Sequence, residues 1–258
     1  MWDPDLDKQL KMIGQRENLP DNTAVPFLIE DWLPPMPGRQ ILVMGADDCT
    51  SANRIDQDAK EIMRYDSQDP GESTDSLGVV EFITGDPQSL PCDSHCFDLL
   101  ICSFLSARMA ITKERLQEFA RLLRPDGHLL IMDNMVPGSR LRGKKARQLR
   151  AAGEYINSWM KLRNPQHKHY LSEDAWIDLL TDTQFSIRGT AIREKTEDFD
   201  TWAECYSPGR DGRIRLQAML VQAPEKALGF LTPERSGDRI AFRLTELFIL
   251  AMMGKGAE

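Results

Sequence analysis

No stretch of this 258-residue sequence approaches the ~20 consecutive apolar residues a membrane-spanning helix needs, so a bilayer span is excluded. Positive charge is short: 32 Lys and Arg stand against 40 Asp and Glu, a net charge of −8. That balance argues against general affinity for nucleic acid or an anionic membrane, both of which are polyanions. Cysteine is sparse and odd in number, at Cys49, Cys92, Cys96, Cys102 and Cys205. A disulfide framework does not follow; reduced thiols in a cytoplasmic protein do. Met1-Trp2-Asp3-Pro4-Asp5 offers neither a basic nor an apolar leader region, and no signal peptide is expected. Cys92, His95 and Cys96 lack a second Cys/His pair to complete a zinc set, so they read as small side chains beside a strand.

What is present is the composition of a globular chain, 41% hydrophobic and 28% charged, long enough for one α/β domain. Residues 1–38 are polar and irregular with short amphipathic stretches, and end in Pro34-Pro35-Met36-Pro37-Gly38, which cannot continue a helix. We read them as an N-terminal cap and residues 39–258 as the main domain. Gln40–Met44 is a continuous apolar run of the kind found in parallel strands covered on both faces. Further strands are expected at Ile62–Asp66, Val79–Ile83, Phe97–Ser103, His128–Asp133, Phe185–Arg193 and Leu247–Met252. Leu116, Phe119, Ala120 and Leu123 recur at helical spacing, and Arg124-Pro125-Asp126-Gly127 stops that helix. A long basic helix over 141–163, a second over Ser172–Thr181, and helical stretches near 199–205 and 213–223 complete the pattern. Ser67–Gly78 lacks apolar periodicity and reads as an exposed loop. Strands alternating with helices imply βαβ crossovers and a doubly wound, mostly parallel sheet with its ligand cleft at the strand carboxyl ends.

Several consecutive segments resemble the class I S-adenosylmethionine-dependent methyltransferases, in the branch similar to the ubiquinone/menaquinone C-methyltransferases. They are GDPQSLPCDSHCFDLLICSF, FARLLRPDGHLLIMDNMVP, LRNPQHKHYLSEDAWIDLLTDTQF and DFDTWAECY. The resemblance implies a Rossmann-like sheet of seven strands, the last antiparallel, with a helical lid inserted at about 138–172. S-adenosyl-L-methionine is the cofactor it implies, and Gly45, Ala46, Asp47, Asp66, Asp86, Pro87, Ser103 and Phe104 fall where the family binds it. Asp133, Asn134 and Arg108 fall on the substrate side. His167 is the best candidate for a polar group reaching substrate, as proton acceptor or hydrogen-bond donor; the competing reading is a structural histidine.

The chain departs from the family where the family is most regular. The loop after the first strand normally reads as an acid and then Gly-x-Gly-x-Gly; here Val43 replaces the acid, and Asp47 and Cys49 replace the second and third glycines. A Cβ at those places narrows the approach to a ligand. Asp66 keeps the expected distance of a ribose-binding acid, 21 residues after Gly45. Ser106-Ala107-Arg108 stands where this subgroup carries a His pair. Three functions follow: a methyltransferase acting on a small, largely apolar acceptor, a catalytically inactive methyltransferase-like partner or scaffold, or a methyltransferase fold running other chemistry such as a cyclisation. The methyltransferase reading leads, because the resemblance covers nearly the whole chain and the lid is kept. Arg140, Arg142, Lys144, Lys145, Arg147 and Arg150 read as a solvated helix face, and Tyr155, Ile156, Trp159 and Met160 as lid packing.

Overall fold

The apolar run after Gly38 becomes the first strand of one sheet, β1 (Gln40–Gly45), in a computed structural model of the protein. The structure describes residues 38–45, 61–65, 80–206 and 208–254. Ala46, Asp47, Cys49, Asp66 and the loop Ser67–Gly78 lie outside the described residues, as does the N-terminal cap apart from Gly38. In chain order β2 (Glu61–Tyr65), β3 (Val80–Ile83) and β4 (Phe97–Ser103) follow, then α1 (Leu105–Arg108), α2 (Lys113–Leu122) and β5 (Leu123–Met135). Next come α3 (Lys144–Arg163), α4 (Glu173–Asp182), β6 (Phe185–Asp198), α5 (Phe199–Glu204), α6 (Gly209–Val221) and α7 (Glu225–Leu231). The hairpin β7 (Glu234–Ser236) and β8 (Arg239–Met253) ends the fold.

The sheet order is β3-β2-β1-β4-β5-β8-β6, with β7 paired to β8. β1 pairs in parallel with both β2 and β4, β2 with β3 and β4 with β5, while β8 runs antiparallel to β5 and β6. Among the described residues seven strands form the continuous path and the last long one is antiparallel, in line with the resemblance; the three-residue β7 is an addition. The chain therefore reverses its direction of strand addition between β1 and β4, the place where sheets of this topology form a ligand crevice at the strand carboxyl ends.

Register explains the core. Leu42, Leu100, Leu129 and Ala251 lie in one row across β1, β4, β5 and β8, and all are fully buried. On that face they meet Leu116, Phe119 and Leu122 of α2 and Trp176 and Leu180 of α4. Helix ends are signalled locally: Thr112 and Ser172 cap α2 and α4 by accepting from Arg115 N and Ala175 N. Trp159 of α3 stacks on Trp202 with ring centroids 4.4 Å apart, and Phe242 stands edge-on to both. Tyr155 donates its hydroxyl to Met219 O at 2.8 Å, and Ile156 and Met160 are buried. These four side chains of α3 pack the helix against the core.

Candidate functional site

At the end of β1, Gly45 pairs with Ser103 of β4 so closely that a Cβ would fall 1.8 Å from the Ser103 carbonyl oxygen. Its φ of +125° adds a backbone conformation that L side chains avoid. Only glycine fits, which accounts for the first glycine of the loop surviving when the others are replaced. Beside it β4 ends in buried Ser103, and Phe104 turns the chain with φ 49°, ψ 38° into the short α1. The Phe104 N–H donates to Met132 O at 2.7 Å, and the residue is half-buried.

Beside it, β5 delivers Asp133 and Asn134. Asp133 is 1% exposed, and its Oδ2 accepts the Ser106 N–H at 2.9 Å, satisfying one free donor at the start of α1. Burial pushes the Asp133 carboxyl up to about 7, against the opposing pull of the Ser106 N–H and hydroxyl and the Asn134 N–H. Asn134 Nδ2 donates to the Tyr170 hydroxyl at 3.2 Å. Tyr170 is buried, and desolvation, with the Asp133 charge nearby, raises its phenol above the usual value.

The segment 164–171 ties α3 to this floor. Lys168 N donates to Ala107 O at 3.1 Å, His169 N to Ser106 O at 3.2 Å, and Val136 N to Leu171 O at 3.2 Å. Asn157 of α3 reads the peptide group of Tyr170: its Oδ1 accepts the Tyr170 N–H at 2.7 Å and its Nδ2 donates to Tyr170 O at 3.0 Å. The same Oδ1 lies 3.2 Å from His167 Nε2. An amide oxygen only accepts, so Nε2 carries the hydrogen and Nδ1 is the bare nitrogen of a neutral ring. His167 is 4% exposed and edge-on to Tyr170 at 4.4 Å between centroids. Burial, then the charges of His169, Lys161 and Arg163, lower it to about 4.

The remaining residues singled out in the sequence are not part of this cluster. Asp86 is exposed beyond β3 and uses Oδ1 to accept the Gln88 N–H at 2.9 Å, with Pro87 half-buried beside it. Arg108 is the exposed last residue of α1. His95 directs its Nδ1 at Leu123 O, 2.8 Å away, rather than toward Cys92 and Cys96. In the basic stretch Arg140 pairs with Asp174 and Asp178, and Arg150 turns back on the Ser139 and Leu141 carbonyls. The structure thus brings Gly45, Ser103, Phe104, Asp133 and Asn134 to one edge, and adds Ser106, Asn157 and Tyr170, which sequence reasoning did not select.

Residues 38–131 match the family described as a methyltransferase domain. In these residues and in the order of its strands the chain is similar to the class I S-adenosylmethionine-dependent methyltransferases. The uncharacterized methyltransferase YcgJ of Bacillus subtilis is 23% identical over 172 residues, 66% of this chain and 64% of that protein. The ubiquinone/menaquinone biosynthesis C-methyltransferase UbiE of Cereibacter sphaeroides is 26% identical over 113 residues, 40% of this chain and 45% of that one. The matches thus span less than two thirds of these curated relatives' lengths. The crystal structure of YcgJ superposes with a TM-score of 0.75 at 20% identity, covering 89% of this chain and 97% of that chain. The [4+2]-cyclase SpnF shares the fold at a TM-score of 0.56 and 15% identity, over 90% of this chain and 80% of that chain. At that level a likeness speaks of fold and not of chemistry.

Proposed function

We propose that this protein transfers a methyl group from S-adenosylmethionine to a small, largely apolar acceptor held under the lid. The observation that carries the reading is the paired opening of β1 and β4. Gly45 and Phe104 both leave their strands with positive φ, and Gly45 has no room for a side chain. The residues at this edge suit the donor: the half-buried Phe104 offers a ring face and Asp86 adds an exposed carboxylate, while glycine at 45 lets β1 close on the Ser103 backbone. Gly45, Asp86, Pro87, Ser103 and Phe104 would hold it, together with Ala46, Asp47 and Asp66 from their places in the sequence. Bound there, the donor supplies an electrophilic methyl group on a sulfonium.

What the chain itself contributes is position and dryness. Buried Asp133 and Tyr170 form a polar floor with the half-buried Asn134, and α3 with the 164–171 segment covers it. Methyl transfer between two held reactants gains mainly from proximity and orientation, which effective molarities put at up to roughly 7–11 kcal/mol of barrier. His167 enters as a positioning residue: with Nε2 given to Asn157, it orients the strap that carries Tyr170. Arg108, at the rim, would meet an acceptor as it enters. A reducing, cytoplasmic setting suits the free thiols Cys92, Cys96, Cys102 and Cys205.

Calorimetric titration of the full chain with S-adenosylmethionine and S-adenosylhomocysteine tests the reading. Micromolar binding of both is expected. No heat with either at millimolar ligand refutes it.

A further inference from the structure

Cys92 and Cys96 stand at the two ends of a turn that the C-terminal end of α2 clamps in place. His95, between them, takes φ 60°, a left-handed conformation that a residue with a side chain holds only when its surroundings impose it. Here its N–H donates to Arg121 O at 2.9 Å, its ring Nδ1 donates to Leu123 O at 2.8 Å, and Cys96 N donates to Leu122 O at 3.1 Å. Arg121 in turn donates to the Leu90 and Cys92 carbonyls and to the Ser94 hydroxyl, and Glu118, which holds Arg121, accepts the Leu90 N–H at 2.9 Å. Both thiols are half-buried, and Cys96 Sγ donates to Asp93 O at 3.0 Å. Burial first, and then the charge of Cys96, raise the Cys92 thiol. Cys96 acts on it more strongly than Arg121, whose guanidinium bonds the Cys92 carbonyl at 2.9 Å. Coulomb interactions weaken with separation, so the two sulfurs are neighbours. His95 is turned to Leu123, and among the described residues no group of three or more His, Cys, Asp and Glu is placed to hold a metal. What the turn presents is a pair of thiols.

We infer that Cys92 and Cys96 form a reversible dithiol–disulfide pair, oxidised by low-molecular-weight disulfides such as oxidised glutathione. The thiolate of one cysteine attacks a sulfur of oxidised glutathione; the S–S bond of the oxidant breaks, one glutathione leaves as its thiol, and a mixed disulfide forms. The second cysteine gives up its proton and attacks the protein sulfur of that mixed disulfide, expelling the second glutathione. The protein loses two electrons and two protons, both gained by the oxidant, which ends as two thiols. Because the fold has already closed the turn, the second attack is intramolecular and outruns attack by free glutathione. Oxidation removes the S–H that Asp93 O accepts, and it leaves the Arg121 bonds, which go to backbone oxygens and Ser94, without a sulfur partner to lose. Cys102 takes no part: it is fully buried, and burial holds its thiol well above the usual range. The pair precedes β4, whereas the candidate crevice lies at the other end of that strand, so the inference is independent of the function proposed above.

The test incubates the full chain with excess oxidised glutathione at about pH 8, where more of each thiol is ionised, then alkylates it and cleaves it with chymotrypsin. Cleavage after Phe97 separates the pair from Cys102. Mass spectrometry is expected to find the peptide holding Cys92 and Cys96 two hydrogens lighter than its reduced form, with neither alkyl groups nor glutathione attached. Dithiothreitol should return both thiols to full alkylation. Cys92→Ser and Cys96→Ser should each retain one glutathione on the remaining thiol, because nothing is left to expel it; if one variant folds poorly, the other carries the test. Folding should also favour the bond: against a series of glutathione buffers, the native chain should keep the disulfide under conditions about tenfold more reducing than the chain in urea. A parent that keeps glutathione on either thiol, or leaves both open to alkylation, overturns the inference. So does a disulfide equally stable in the native and the unfolded chain, since the clamped turn would then contribute nothing.

Discussion

Gly153 lies inside α3, where general helix propensity predicts that alanine would stabilise the protein by about 1 kcal/mol. The structure predicts the opposite sign. A Cβ at 153 would sit 2.4 Å from the Pro137 carbonyl oxygen and 3.3 Å from Val136 Cγ2. Ordinary contact requires close to 1 Å more, so α3 must move off the segment leaving β5 or the 136–137 backbone must yield. Overpacking of this kind costs about 1–3 kcal/mol, and a contact of 2.4 Å on a backbone oxygen takes the upper part, about 2–3 kcal/mol, which leaves a net loss of about 1–2 kcal/mol after the propensity gain. For a chain of this size that is a fall in Tm of about 2–8 °C. Gly229 provides the control. It is helical and exposed in α7, and nothing lies within 4 Å of its Cβ position. Gly229→Ala should raise Tm by a degree or more, about 0.5–1 kcal/mol. Thermal and urea unfolding followed by far-ultraviolet circular dichroism would measure both. If Gly153→Ala stabilises as much as Gly229→Ala, the close seating of the lid helix is refuted.

Two further perturbations follow from the buried charges. Asp133, raised to about 7 from 3.8, opposes folding above pH 7 and ceases to do so as pH falls toward 4; His167, lowered to about 4 from 6.5, removes stability as pH falls from 6.5 to 4. At 1.36 kcal/mol per pH unit these are about 4 and about 3 kcal/mol of opposite sign, so the parent's response to both is nearly flat. Asp133→Asn should unmask falling stability on acidification and His167→Gln rising stability, read as urea midpoints between pH 4.5 and 7.5; three parallel curves would contradict both shifts. Arg193 and Glu246 form a buried ion pair between β6 and β8, the carboxylate accepting from Nε at 2.7 Å. Arg193→Ala should lose about 3–5 kcal/mol by stranding Glu246, whereas the double variant Arg193→Met, Glu246→Leu should lose less than about 1 kcal/mol. Equal losses for the two would mean that the pairing itself, and not the stranded carboxylate, carries the stability.

The parallel half of the sheet was legible because its strands are covered on both faces and read as apolar runs: Ile41–Met44 and Leu99–Cys102 carry their burial in their composition. β6 was not legible to its end. The sequence suggests Phe185–Arg193, but pairing continues to Asp198, because Glu194 and Thr196 lie opposite Thr245 and Arg243 and their neighbours are half-buried ionic residues. Such a strand is held by cross-strand ladders and ion pairs such as Arg243–Glu194, which leave no hydrophobic period to read. β5 begins at Leu123, five residues before the expected His128, since Leu123 pairs with Phe97 ahead of the irregularity at Arg124–Gly127. α3 starts at Lys144 rather than 141, after Gly143 with its positive φ. α1, four residues long, is too short for any period, and α7 and β7 were not foreseen. At the site, Gly45, Ser103, Phe104, Asp133 and Asn134 were accessible as strand ends, since a strand's last residues must line the crevice in this topology.

The lid side of the site was opaque for a different reason: its chemistry is decided by pairs that sequence distance hides. His167 stood out as a lone titratable residue near a family motif. Asn157, ten residues earlier and on another element, is what determines its tautomer, while burial lowers its affinity for protons. Nothing in the local sequence marks Asn157, because a buried asparagine in a helix looks like a weak helix former until its partner is known. Its side-chain amide is matched to both backbone groups of Tyr170, an arrangement that Asp or Leu could not reproduce, since neither offers a donor and an acceptor together. Tyr170 in turn reaches Asn134 on the opposite side of the crevice. The chain α3–strap–β5 is therefore a single hydrogen-bonded unit, in which the helix that packs on the core through Trp159 and Ile156 also fixes the polar atoms above Asp133. A site of this kind is specified by rigid packing some distance away, and it is there that the replaced glycines of the first loop have least influence on what the lid can hold.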